Sequence, residues 1–251
     1  MLLERKNAII YGGGGAIGGA VARAFARDGA RVFLAGRTLS SLDAVASRIR
    51  ASGGAAETAQ VDALDERAVD EHANGVAARA GSIDISFNLV SQGDVQGIPL
   101  VEMRLSDFMQ PVVTTVSTMF ITARAAARHM IRQRSGVILM FGGHGDPPRG
   151  YNIGGLQVAF GAVESLRRNL ASELGPLGIR VLTLQTAGVP ESIPAGFEGM
   201  ESIAEQIAGR TMLGRAATLE DVGNAAVFAA SDWARTMTAT ALNITCGAQV
   251  D

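Results

Sequence analysis

This sequence predicts a single-domain α/β fold in which a mainly parallel sheet is covered by helices on both faces. Two observations carry that expectation. Short apolar runs alternate with segments of helical periodicity along the whole chain, as repeated strand–helix units do. The 251 residues suffice for one sizeable core, and no repeat, linker or low-complexity segment divides them.

The first apolar run, Ala8 to Tyr11, reads as a buried strand; four glycines follow, and Ile17, Val21 and Phe25 recur at helical spacing until Gly29 stops the helix. Arg31 to Ala35 is a second strand. Leu39 to Ser52 repeats Leu39, Leu42, Val45 and Ile49 as a helix, ended by Gly53-Gly54 before a third strand near Glu57 to Val61. A helix over 65–80, a strand at Ile83 to Phe87, a long helix over 106–134 and a strand at Val137 to Phe141 continue the alternation. Beyond a loop come a helix over 154–174, a strand at Ile179 to Leu184, and a less regular stretch with Pro190 and Pro194, suited to a mobile flap over a site. The tail reads as a helix from Thr218 to Ala230 and a strand from Leu242 to Thr245.

Composition narrows the function classes. The 22 basic and 24 acidic side chains leave no electrostatic footprint for nucleic acid or an anionic membrane, which points to small, weakly charged partners. Cys246 is the sole cysteine, excluding an intrachain disulfide and a cysteine-built metal cluster, and no His and carboxylate spacing resembles a metal site. The N-terminal residues, with Glu4, Arg5 and Lys6, lack the pattern of a signal peptide, so a cytoplasmic location is expected. Phe108 to Ala123 is too polar and too short for a membrane span and reads as a buried helix.

The motif that carries chemistry is Tyr11-Gly12-Gly13-Gly14-Gly15-Ala16-Ile17-Gly18, between a strand and an amphipathic helix. Glycines let an anion approach main-chain N–H groups, and the helix N-terminus adds partial positive charge. Gly12, Gly14, Gly15, Ile17 and Gly18 are therefore the expected pyrophosphate site of a Rossmann-type, dinucleotide-binding fold. At the end of the second strand, where a carboxylate would bond the ribose of NAD, the chain has Ala35-Gly36-Arg37-Thr38. An arginine fork and a hydroxyl suit the extra phosphate of NADP(H).

The glycine turn, the Ala35-Gly36-Arg37 strand end, Asp62, Asn88, Gly136-Val137-Ile138, Ala162 to Leu166, Gly178 to Val181 and Leu213-Gly214-Arg215 occur in an order that resembles the short-chain dehydrogenase/reductase family. The likeness covers essentially the whole chain and is greatest to reductases of the 3-oxoacyl carrier-protein type. It implies a doubly wound, seven-stranded sheet and a homo-oligomer, a tetramer on the helices near 106–134 and 154–174. It also adds Asp62, Asn88 and Val189 to the cofactor site. Members of that family reduce carbonyls with Asn, Ser and a Tyr-x-x-x-Lys pair. The same register puts Thr115, Gly143, Leu156 and Phe160 at those positions, so the catalytic set is degenerate. No shift of register repairs this: the chain has one lysine, Lys6, and two tyrosines, Tyr11 and Tyr151. Leu156 and Phe160 turn a polar floor apolar, and Gly143 is expected to add room beside it.

Replacement proton donors would come from the loop 142–151: His144 first, oriented by Asp146, with Tyr151 second. Arg149 is a candidate for an anionic substrate group, while His72 and His129, on helices, read as structural. Three functions stay open. The chain moves hydride without the usual residues; or it holds NADP(H) or an apolar ligand without turnover, alone or as the partner of an active homologue; or it performs non-redox chemistry on a vestigial cofactor site.

Overall fold

The computed structural model describes residues 1–143, 151–194, 196–197 and 199–250. The chain runs β1 (Asn7–Tyr11), α1 (Ala16–Arg27), β2 (Arg31–Gly36), α2 (Leu39–Ala51), β3 (Ala55–Gln60), α3 (Glu66–Ala80) and β4 (Ile85–Asn88). It continues with α4 (Leu105–Gln133), β5 (Gly136–Gly142), α5 (Leu156–Leu174), β6 (Ile179–Gln185), α6 (Met200–Gly209), α7 (Leu219–Ala230) and β7 (Thr240–Asn243).

All seven strands pair in parallel in the order β3-β2-β1-β4-β5-β6-β7. Central strand β1 lies between β2 and β4, with Ala8 opposite both Val32 and Ile85. Being covered on both faces, it is apolar on both: Ala8 and Ile10 join the core on one side, Ile9 and Tyr11 the core on the other. One core takes Val21 and Phe25 of α1, Leu42 and Ile49 of α2 and Val222 and Val227 of α7; the other takes Val69 and Val76 of α3, Met119 and Met130 of α4 and Val163 of α5. Each such fully buried side chain contributes about 1.5–3 kcal/mol by leaving water.

Two elements depart from the sequence-based expectation. The stretch after β6, expected to be an irregular flap, contains a 3-10 turn at Pro190–Ser192 and the helix α6. Ile207 of that helix comes so close to Gly188 that a Cβ there would lie 2.9 Å from Ile207 Cδ1. At the other end, β7 begins at Thr240, because Ala239 adopts φ +57° and its N–H bonds the Val181 carbonyl, which starts the pairing earlier than the apolar run suggests. No helix among the described residues is long and apolar enough to cross a membrane.

Candidate functional site

With this strand order the chain leaves β1 toward β2 on one side and reaches β4 on the other, so a crevice opens outside the carboxyl ends of β1 and β4. Ligands of open α/β sheets bind at such switch points. The residues expected to bind a cofactor all follow the carboxyl ends of strands: the glycine turn after β1, Arg37 and Thr38 after β2, Asp62 after β3, Asn88 ending β4, and Val189 after β6.

The turn is built by contacts that no side chain would permit. Gly12 has φ +77°, and a Cβ on it would meet the Leu89 carbonyl oxygen at 2.3 Å; one on Gly18 would meet the Gly12 carbonyl oxygen at 2.1 Å. Gly14 comes equally close to α2, its Cβ position lying 2.9 Å from Ser41 Cβ. The N–H groups of Gly12 and Gly13 both donate to the Ala35 carbonyl, which ties the turn to β2. Gly15 is the N-cap of α1, yet no side chain caps that helix and its first turn holds no acid. Partly exposed Ile17 packs the first turn onto the core. An uncapped, glycine-fronted N-terminus is a ready anion seat.

Beside it, Arg37 and Thr38 are exposed. Gln60 Nε2 donates to the Arg37 carbonyl at 3.0 Å and fixes the backbone there, while no carboxylate among the described residues pairs with the guanidinium. Thr38 is the N-cap of α2, but its hydroxyl makes no capping bond. Asp62 is spent locally: its Oδ1 accepts from the Leu64 N–H at 3.0 Å. Asn88 is buried and cross-links β4 to α4. Its Nδ2 donates to Thr122 Oγ1 at 3.1 Å and its Oδ1 accepts from the Val90 N–H at 2.9 Å. Thr122, which the sequence reading passed over, donates in turn to the Thr118 carbonyl. Val189 is buried in the core next to the 3-10 turn.

The other half of the crevice is different in kind. Leu156 is buried at the start of α5, and the Phe160 ring, one turn on, lies along Gly142 and Gly143 at the end of β5. A Cβ on Gly143 would sit 2.6 Å from Phe160 Cε2 and 2.8 Å from Cδ2. Gly143 therefore adds no room, contrary to expectation: Phe160 fills the space that a side chain at 143 would need. Thr115 is buried in α4, and its hydroxyl has no hydrogen-bond partner among the described residues. Tyr151 is 40% exposed, whereas His144, Asp146 and Arg149 lie outside the described residues.

Neither remaining histidine joins the crevice. His129 bonds Asn74 and Arg132 between α3 and α4. His72 packs its ring against Tyr11, and burial together with the nearby Arg79 charge lowers its pKa from 6.5 to about 4. The Tyr11 phenol is pushed upward by the same burial and by Asp70. No group of three metal-ligating side chains occurs among the described residues.

The seven parallel strands and the glycine turn define an α/β protein of the dinucleotide-binding type, and by sequence the chain belongs to the short-chain dehydrogenase/reductase family of oxidoreductases. Residues 14–249 match the model of the enoyl-(acyl carrier protein) reductases within it. Among curated relatives, gluconate 5-dehydrogenase of Gluconobacter oxydans is 30% identical over 91% of this chain and 89% of its own. A short-chain type dehydrogenase/reductase from Mycobacterium marinum superposes with a TM-score of 0.89 at 27% identity, covering 99% of this chain and 97% of its own. A gluconate 5-dehydrogenase from Burkholderia cenocepacia, solved in complex with NADP and tartrate, superposes with a TM-score of 0.87 at 25% identity, over 98% and 96% of the two chains.

Proposed function

We propose that the chain binds NADP(H) across this crevice and that binding, rather than the family's usual carbonyl chemistry, is the function its residues support. The observation that carries the reading is the uncapped N-terminus of α1 behind Gly14 and Gly15, flanked by the unpaired fork of Arg37. The pyrophosphate would take the N–H groups of Gly14 and of residues 16–18, the Gly15 N–H being bonded to the Gly12 carbonyl at 3.1 Å, and Arg37 with Thr38 would take the 2′-phosphate; Asp62, Asn88, Ile17 and Val189 shape the walls. That a related enzyme was solved with NADP is consistent with this choice.

A bound nicotinamide supplies or accepts hydride. On this chain Thr115, Gly143, Leu156 and Phe160 offer no group to protonate an oxyanion beside it, and loss of a positioned acid costs about 10²- to 10⁴-fold in rate. If carbonyl reduction occurs, its proton comes from His144, oriented by Asp146, or from Tyr151. The remaining ligand is a small, apolar molecule. Exposed Val113 and Phe120 on α4 and Val158 on α5 support a homo-oligomer, a tetramer on those helices, in which this chain is also able to serve as the inactive partner of an active homologue.

Calorimetric titration with NADPH tests the binding claim, and no heat at millimolar ligand overturns it. Given binding, Arg37→Asp is expected to weaken NADPH by about tenfold or more and to leave NADH within a few-fold, since a charged hydrogen bond to the phosphate is lost. Equal weakening of both nucleotides would mean that Arg37 does not read the phosphate.

A further inference from the structure

The crevice is lopsided. Around β1 and β2 it offers bare N–H groups, an arginine fork and a free hydroxyl, all suited to anions. Around β4 and β5 the described residues that end or directly follow the strands are Asn88, Leu89, Val90, Gly142 and Gly143, with Phe160 of α5 laid against the last two and Leu156 buried one turn before it. The chain's single lysine, Lys6, precedes β1 and so stands at the opposite, amino edge of the sheet. The Asn88 amide is bonded to Thr122. A dinucleotide spans both halves of such a crevice, with its adenosine phosphates in one and its nicotinamide ribose in the other.

We infer that this protein recognises the 2′-phosphoadenosine half of its ligand and that, among the described residues, the ends of β4 and β5 with α5 give the nicotinamide half no polar side-chain hold, because the Phe160 ring fills the space that a side chain at 143 would need. This rests on the dinucleotide reading above and sharpens it. The protein then reads the phosphorylated adenosine diphosphate moiety alone, and it binds the oxidised and reduced cofactor alike. Nucleotides with that moiety are the ligand class, whatever the group on the far end. The Phe160 ring seats that group by apolar contact.

The test is calorimetry with three probes: NADPH, NADP⁺ and 2′-phosphoadenosine 5′-diphosphate, which keeps both phosphates of the pyrophosphate and lacks the nicotinamide ribose. On the unaltered protein the three Kd values should agree within about threefold, since a retained charged hydrogen bond to the ribose would separate them by about tenfold or more. A tenfold preference for either dinucleotide over 2′-phosphoadenosine 5′-diphosphate overturns the inference while leaving the dinucleotide reading intact. Failure of all three to bind overturns both. Phe160→Lys supplies a cation there and should tighten both dinucleotides relative to 2′-phosphoadenosine 5′-diphosphate. Phe160→Leu, which keeps the seat apolar, should preserve the near-equality. A leucine variant that discriminates among the probes also counts against the proposal.

Discussion

The contact between Phe160 and Gly143 can be measured on its own by giving residue 143 the hydroxyl that the family resemblance places there. Gly143 does not have a positive φ, so its backbone accepts serine and only space opposes it. The new Cβ would stand 2.6 Å from Phe160 Cε2, whereas non-bonded carbons relax at about 3.5–4.0 Å, so the ring must retreat by about 1 Å. Overpacking costs about 1–3 kcal/mol, and because Phe160 is only partly buried and its side chain is free to swing, the lower end applies: Gly143→Ser should cost about 1 kcal/mol. In a Phe160→Ala background the obstacle is gone and the same serine should be nearly neutral, which makes the coupling energy about 1 kcal/mol. Urea unfolding of the parent, both single variants and the double variant gives that number directly, provided the m-values agree. Additivity within about 0.5 kcal/mol would show that the ring does not fill the space beside residue 143, and the account of the blocked site would fall with it.

Three other outcomes follow from the structure. Gly18→Ala drives a Cβ to 2.1 Å from the Gly12 carbonyl, a backbone atom that cannot swing away, so urea unfolding should show a loss of about 3 kcal/mol and calorimetry a loss of NADPH binding; a variant of unchanged stability would refute the tight turn. Folding favours the neutral ring of His72, whose pKa falls from 6.5 to about 4, so the stability held in that ring is complete above pH 6.5 and drains away as pH drops toward 4, by up to about 1.4 kcal/mol per pH unit. Asp221, whose pKa the Arg215 hydrogen bond lowers from 3.8 to about 2, acts only in the window below, while burial and Arg132 lower the pKa of His129 and give it a contribution of the same sign as that of His72; His72→Phe should therefore reduce the slope of the stability profile between pH 6.5 and 4, and an unchanged slope would acquit His72. Thr115→Val removes a buried hydroxyl that has no partner among the described residues, so thermal unfolding should show no loss of stability or a gain of up to about 1 kcal/mol, and a clear loss would mean that the hydroxyl is bonded after all.

What the sequence disclosed followed from local physics. Apolar runs flanked by glycine placed the strands to within two or so residues, and the first strand–turn–helix unit was legible as a unit because its elements lie within one stretch of chain. The helix α6 escaped because Pro190 and Pro194 read as an irregular stretch, although Met200, Ile203 and Ile207 recur at helical spacing. The Phe160–Gly143 contact escaped for a different reason. It joins α5 to β5 across a loop, and nothing in either segment says that the ring turns toward the glycine rather than away. Asn88 stood out in the sequence as an expected site residue, but its bond to Thr122, on a helix reached only after a long loop, was not legible.

The structure also reorders how much each part of the glycine motif says about a ligand. Gly12 and Gly18 are required by the fold itself: a Cβ on either strikes a backbone carbonyl, so the turn and the seating of α1 would demand them in a protein that bound nothing. Gly15 is another matter, because its Cβ position meets nothing closer than the Gly12 oxygen at 3.5 Å, and a capping serine there would serve the helix better than glycine does. Arg37 and Thr38 likewise contribute no side-chain bond to the fold among the described residues, and both stand exposed beside the turn. A bare N-cap, an unpaired fork and an idle hydroxyl gathered at one end of the crevice are features that folding does not explain and an anionic ligand does. The claim for a phosphorylated dinucleotide therefore rests on these three residues more than on the glycines that first drew attention to it.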